Sequence, residues 1–199
     1  MSVLIVSSMG HMVVDLFVDT CPLACENFLK LCKLKYYNNA LMYNVQKDYI
    51  MQTGDPTGTG YGGNSAKGVV SGAKYPVYFR DEVLGCGGRA AQRHDRAGLL
   101  CMANSGRDDS NLSQFFLTLR GHDLQHLDGK HSIFGEVVEG LEVLEQLNGA
   151  YCDGDGRPFL VTNNVTHPKL SAIPLSVSIL LTLTLALFCC NARPSRTSG

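Results

Sequence analysis

Apolar and polar positions alternate along the first part of the chain in two β-rich runs, Val3–Val6 and Met12–Val18. Between them Ser7-Ser8-Met9-Gly10 carries a turn signal, so a hairpin is expected to open the fold. From Pro22 to Lys35 the period changes: Ala24, Phe28, Leu31, Cys32 and the stem of Lys35 recur at i, i+4, i+7, i+8 and i+11. This spacing predicts an amphipathic helix, with Thr20 or Cys21 at its cap and Pro22 in its first turn. Leu41–Gln52 reads as a strand pair, and Leu99–Ala103, Gln114–Leu119 and Ser132–Val137 as further strands. A second helical pattern runs over Val138–Leu147 through Leu141, Leu144 and Leu147 and stops at Asn148-Gly149. Many short strands with two helices predict a mainly β fold, a closed and mostly antiparallel barrel capped by those helices.

The pattern changes again near Pro168, which divides the chain into a domain over 1–168 and a tail over 169–199. Leu170–Cys190 contains no charged residue, and its polar residues scatter round a helical wheel. As a helix the run would reach ~31 Å against a hydrocarbon core of ~30 Å, so a carboxy-terminal membrane anchor over 170–190 is expected. The competing reading is a strand, because Leu181–Leu187 alternates Leu-Thr-Leu-Thr-Leu-Ala-Leu with period two.

The 199 residues are 45% hydrophobic and 18% charged, enough to bury one core. A net charge of −1 supplies no basic footprint for nucleic acid or anionic lipid. The amino terminus has too short an apolar stretch, and no basic flank, for a secretory signal. Synthesis in the cytosol is therefore expected, with the barrel facing the cytosol if the tail inserts. The eight cysteines form no C-x-x-C pair and no zinc spacing, so no metal site and reduced thiols are expected, with Cys25 and Cys32 on one buried helix stripe.

Gly58-Thr-Gly60-Tyr-Gly62-Gly63 satisfies a dinucleotide-type G-x-G-x-x-G, but the Gly- and Val-rich Ser65–Gly72 after it has no helical period on which a pyrophosphate would sit. A glycine-rich surface loop is expected instead. The sequons at Asn111 and Asn164 are incidental for a cytosolic domain.

Three segments carry the specific chemistry: YNVQKDYIMQTGDPTGTGYGG from Tyr43, LLCMANSGRDDSNLSQFFLTL from Leu99 and HLDGKHSIFGEVVEGLEVLEQL from His126. In their order and separations they resemble the cyclophilin-type peptidyl-prolyl cis-trans isomerases, and the resemblance runs from Met1 to about Pro168. It implies a closed eight-stranded barrel, an enzyme that speeds rotation about X–Pro bonds of proteins, no cofactor, and proline-containing peptide segments as partners. Within the family the sequence is most similar to the isomerase-like 4 subfamily, whose members carry an RNA-recognition domain after the barrel. No string of that domain follows here, so no direct nucleic-acid contact is expected, and the subfamily's nuclear location stands as the alternative to the membrane.

The same resemblance assigns a prolyl slot to Tyr49, Ile50, Phe116, Leu127 and His131, with Gln52, Ala103, Asn104 and Gln114 as backbone-binding positions. Asn44, Gln52, Phe116 and His131 fall on the family's catalytic positions. Prolyl rotation moves no proton, so His131 is assigned to the slot wall, and His94, His122 and His126 need no acid–base role. Two positions depart from the family: Asn44 holds the place of a catalytic arginine, and His126 a place where many members have Trp. Weak cyclosporin binding and slow turnover are expected from them, with a proline-peptide binding module as the alternative function. Lys47 is the nearest replacement cation, but Asn44 and Gln52 share a strand parity that Lys47 lacks. The loop from Asn104 to Gln114 is also one residue longer than usual.

Overall fold

The computed structural model describes residues 1–83 and 92–158 and the backbone of Ser176–Leu180. The expected hairpin is β1 (Ser2–Ser7) and β2 (Gly10–Leu16), paired from Ser2↔Asp15 to Ser7↔Gly10. The remaining strands are β3 (Ala40–Leu41), β4 (Asn44–Gln46), β5 (Ile50–Thr53), β6 (Leu99–Met102), β7 (Phe115–Thr118), β8 (Ile133–Glu139) and β9 (Ser176–Leu180). All join one antiparallel sheet in the order β3-β9-β1-β2-β8-β6-β7-β5-β4.

Its two outermost strands, β3 and β4, are consecutive in the chain. Leu41 and Asn44 are at most about 11 Å apart, so the sheet must curl round on itself. No ladder joins β3 to β4 among the described residues, and the sheet counts nine strands in place of the closed eight expected.

Helix α1 spans Pro22–Lys33 and buries Ala24, Cys25, Asn27, Phe28, Leu31 and Cys32. It stops before the expected Lys35, which takes a left-handed φ of 55° and stands exposed. Neither Thr20 nor Cys21 caps it with a side chain. Glu82 does so from across the fold, its carboxylate accepting from the backbone N–H groups of Leu23 (3.1 Å) and Ala24 (2.9 Å).

Helix α2 (Ala66–Ser71) occupies a stretch expected to be loop. It is a single short helix made by its ends: the Ser65 hydroxyl accepts from Gly68 N–H, and Gly72 closes it at a φ of 62°. Helix α3 spans Leu141–Asn148, later than the expected Val138 start, because β8 continues to Glu139 on the ladder to β2. The turn is made at Gly140, where a Cβ would meet the His11 carbonyl. Two helices were expected to cap the barrel; the described residues hold three, with a short 3-10 turn at Gln125–Leu127.

The middle of the expected membrane helix is strand β9, paired with β1 from Leu4↔Leu180 to Ser7↔Val177 and with β3. An open edge on β1 and the β-branched Val177 and Ile179 favour this pairing over a helix. The remainder of 170–190 lies outside the described residues, as does the alternating run 181–187. Among the described residues no helix is long and apolar enough to cross a membrane.

Successive residues of β5, β6 and β7 feed two separate apolar clusters. Met51, Leu100, Met102, Phe115 and Leu117 face the interior, where Phe28, Tyr37, Phe115 and Phe134 pack edge-on at 5.3–5.4 Å. Ile50, Leu99, Cys101, Ala103 and Phe116 point outward and are buried with Leu124, Leu127 and Ile133. The candidate site is built on this outer cluster.

Candidate functional site

The ladder places Asn44 opposite Gln52, Gln52 opposite Phe116, Phe116 opposite Cys101 and Cys101 opposite Ile133. One row of side chains therefore crosses β4, β5, β7, β6 and β8 on the outer face. At its centre lies Phe116, only 3% exposed. Ile50, Ala103 and Leu127 share its cluster. The His131 ring meets it edge-on at 5.3 Å, and the buried His94 ring lies parallel to it at 6.4 Å.

His131 is fixed by Nδ1 donating to the Met102 carbonyl at 3.0 Å, which leaves Nε2 as a bare acceptor. Burial holds its pKa below the ordinary 6.5, against the raising effect of that bond. His94 is lowered in the same way by burial, although Asp128 opposes it. Both the His94 backbone N–H (2.8 Å) and Nδ1 (2.7 Å) reach Asp128 Oδ1, so the turn that delivers Leu127 and His131 is tied to the back of the slot. Among the described residues His94 Nε2 is buried without a hydrogen-bond partner. His94 and Asp128 were not anticipated as part of the site. Their signal lay in the sequence only as one more histidine and one more turn aspartate.

A second construction runs along the amides. Gln46 Nε2 donates to Asn44 Oδ1 (3.2 Å), Asn44 Nδ2 to Gln52 Oε1 (3.5 Å) and Gln52 Nε2 to Gln114 Oε1 (2.9 Å). Gln114 Nε2 donates to the carbonyls of Gly60 (3.0 Å) and Gly62 (2.7 Å). Tyr43 Oη donates to the same Gln114 oxygen at 2.6 Å. Gln114 thereby spends its whole side-chain amide within the protein and holds Gln52 by a hydrogen bond. Among the described residues one N–H of Asn44 and one of Gln52 have no acceptor. The backbone N–H of Val45 donates to Gly156 O at 2.7 Å, which covers the free edge of β4 beside Asn44. Lys47 lies outside the ladder, in the exposed turn between β4 and β5.

The rim is closed by Tyr49 and His126, and by Asn104, whose Nδ2 donates to Lys130 O at 2.8 Å. The glycine loop is organised by Asp55, whose carboxylate accepts from the backbone N–H groups of Thr57, Thr59, Gly60 and Gly62. Burial works to raise its pKa, but these bonds win and hold it below the ordinary carboxylate value. The amides that would bind a pyrophosphate are thus filled by the protein's own anion. Among the described residues no group of three His, Cys, Asp or Glu side chains is placed to hold a metal ion.

The arrangement offers an apolar cluster centred on Phe116, with two neutral side-chain amides in register beside it and the His131 imidazole against its edge. Residues 2–166 match the family described as cyclophilin type peptidyl-prolyl cis-trans isomerase/CLD. The chain is 50% identical over 159 residues to peptidyl-prolyl cis-trans isomerase CYP59 of Arabidopsis thaliana, covering 80% of this chain and 30% of that protein. It is 43% identical to the human peptidyl-prolyl cis-trans isomerase-like 4, over 80% of this chain and 31% of that one. The match therefore spans less than a third of the length of either relative. A crystal structure of a cyclophilin type isomerase from Cryptosporidium parvum, determined in the presence of the dipeptide Ala-Pro, is 33% identical. It superposes with a TM-score of 0.71 over 92% of this chain and all of that one.

Proposed function

The chain belongs to the cyclophilin type peptidyl-prolyl cis-trans isomerase family, and we propose that it catalyses cis-trans rotation about X–Pro bonds of protein segments docked across the outer face. The single observation that carries this is the register row Asn44–Gln52–Phe116. It supports the reading because it puts two side-chain amides in line with the apolar cluster round Phe116.

Rotation is slow because nitrogen conjugates with the carbonyl, which raises a barrier of ~18–20 kcal/mol. At the twisted geometry the nitrogen is pyramidal and a better acceptor. A donor aimed there stabilises the transition state more than either planar state. In this site Phe116, Ile50, Ala103 and Leu127 seat the ring, His131 closes its edge, and Asn104 and Gln52 hold the flanking amides. The remaining N–H of Asn44 meets the prolyl nitrogen. Both donors are neutral, and neutral bonds are roughly half as strong as charge-assisted ones. Turnover is therefore slow for the family.

The neutrality of Asn44 also favours a second reading, a proline-peptide binding module with little catalysis. Measuring kcat/KM and Kd for one Pro peptide on one preparation separates the two. Binding with no acceleration above the uncatalysed rate selects the module, and acceleration selects the enzyme.

Location is a separate proposal, a carboxy-terminal anchor with the barrel in the cytosol. It requires Ser176–Leu180 to leave the sheet, since the residues from Leu181 to Cys190 would span only ~15 Å as a helix against a hydrocarbon core of ~30 Å. Alkaline extraction of membranes decides it: protein kept in the pellet supports the anchor, and release supports the strand.

A further inference from the structure

On a different part of the surface, α1 and α2 leave a groove of about 690 Å³ that shares no residue with the prolyl site. Its apolar lining is Leu23, Leu34, Ala66, Val70, Tyr78 and Phe79. Three of these are unusually open for their type, Val70 at 71%, Tyr78 at 54% and Leu34 at 46%. Lys30, Lys33 and Lys67 stand on the rim against one carboxylate, Glu26, which is spent on Lys30 at 2.6 Å. No ion pair engages Lys33 or Lys67 among the described residues.

The walls are tied together. Asn27 on α1 donates to Leu112 O at 2.9 Å and accepts from Ala66 N at 2.8 Å, and Asn64 Oδ1 accepts from Val77 N at 2.9 Å. The groove is therefore preformed, and a ligand need not order it.

We propose that this groove is a docking site for an acidic, amphipathic segment of a partner protein, separate from the catalytic face. Its apolar side chains would cover Leu34, Val70 and Tyr78, and its carboxylates would meet Lys33 and Lys67. Charge complementarity selects the acidic occupant: three ammonium groups face one carboxylate, so a neutral or basic segment would leave the rim uncompensated. Concavity selects a segment with protruding side chains over a flat lipid surface.

The test uses the full-length chain, isotopically labelled, and a short synthetic helical peptide of Glu, Asp, Leu and Phe with apolar residues at i, i+3, i+4 and i+7. Its twin carries Lys at every acidic position. The acidic peptide should shift the amide resonances of Leu34, Val70 and Tyr78 and leave those of Gln52 and Phe116 in place, and the Lys twin should not bind. Val70→Asp, and separately Lys33→Glu with Lys67→Glu, should each weaken binding about 10-fold, with the melting temperature and the isomerisation rate unchanged. The proposal is overturned if neither peptide binds, if both bind alike, or if shifts fall on the prolyl site. It is likewise overturned if phosphatidylserine vesicles bind in place of the peptide. The shift map on the unsubstituted chain decides the matter even if a variant folds poorly.

Discussion

Tyr49 and His126 are stacked with ring centroids 5.6 Å apart at 17°, and Tyr49 Oη lies 2.8 Å from His126 Nε2. Residues 77 apart in sequence are thus joined beside the apolar cluster of Phe116, against which Tyr49 packs, and a ligand bound at the proposed site would meet this pair. His126→Trp adds aromatic area and an indole donor, and it gives up the bond to Tyr49. Cyclosporin should bind the variant more tightly by about 1–3 kcal/mol, the scale of one hydrogen bond plus aromatic burial. Titration calorimetry reads this directly, and equal affinities would place position 126 away from the ligand.

Asn44→Arg puts a cation at the end of the register row, opposite Gln52. Its benefit belongs to the twisted state, so kcat/KM should rise about 10-fold while peptide affinity changes less than about 3-fold. The reference is Phe116→Ala, which empties a slot residue that is 3% exposed. It should lower both quantities and cost about 3 kcal/mol of stability in a denaturant melt. An unchanged rate in Asn44→Arg, in a chain already as fast as arginine-bearing relatives, would mean that the donor lies elsewhere, with Lys47 the first to test.

Acid should destabilise the fold well above the range where carboxylates titrate. His94 and His131 are both held below their ordinary 6.5 by burial, so the unfolded chain takes up protons first as pH falls. Stability contributed by keeping these rings neutral is complete above about pH 6.5 and declines below it, by about 1.4 kcal/mol per pKa unit of depression. Asp128, lowered by its bonds from His94 against the effect of burial, adds a further loss below its ordinary 3.8. Thermal melts from pH 8 to pH 5 should be flat and then fall. In His94→Asn, which can keep a donor to Asp128, the fall should be shallower. A wild-type curve flat to pH 5 would contradict the burial argument.

Buried thiols should be inert in the native state. Burial pushes Cys25 and Cys32 up to about 12 and raises Cys101 well above its ordinary value, whereas Cys152 is only half-buried. With iodoacetamide at pH 8, peptide mass spectrometry should find Cys152 modified ahead of Cys25, Cys32 and Cys101, which react on denaturation. Labelling of Cys25 or Cys32 at the rate of Cys152 would show that α1 opens locally.

How much of this was legible in the chain follows from the range of the forces involved. Period and turn chemistry determined the β1–β2 hairpin, the amphipathic α1 and the short strands, because each is dictated by neighbours within a few residues. The family resemblance singled out Asn44, Gln52 and Phe116, which the ladder sets in one register row, and strand parity left Lys47 outside that row. The sequence could not assign faces in β6 and β7: every residue there is buried, so no alternation separates Phe115 inside from Phe116 outside. Only the curl of the sheet decides that. Contacts between distant residues were equally unreadable: Glu82 capping α1, His94 gripping Asp128, Gln114 spending its amide on Gly60 and Gly62. The run after Pro168 is the clearest case. Its lack of charge fits a membrane helix and a sheet strand alike, and the unpaired edge of β1, a feature of the tertiary structure alone, draws Ser176–Leu180 into the sheet.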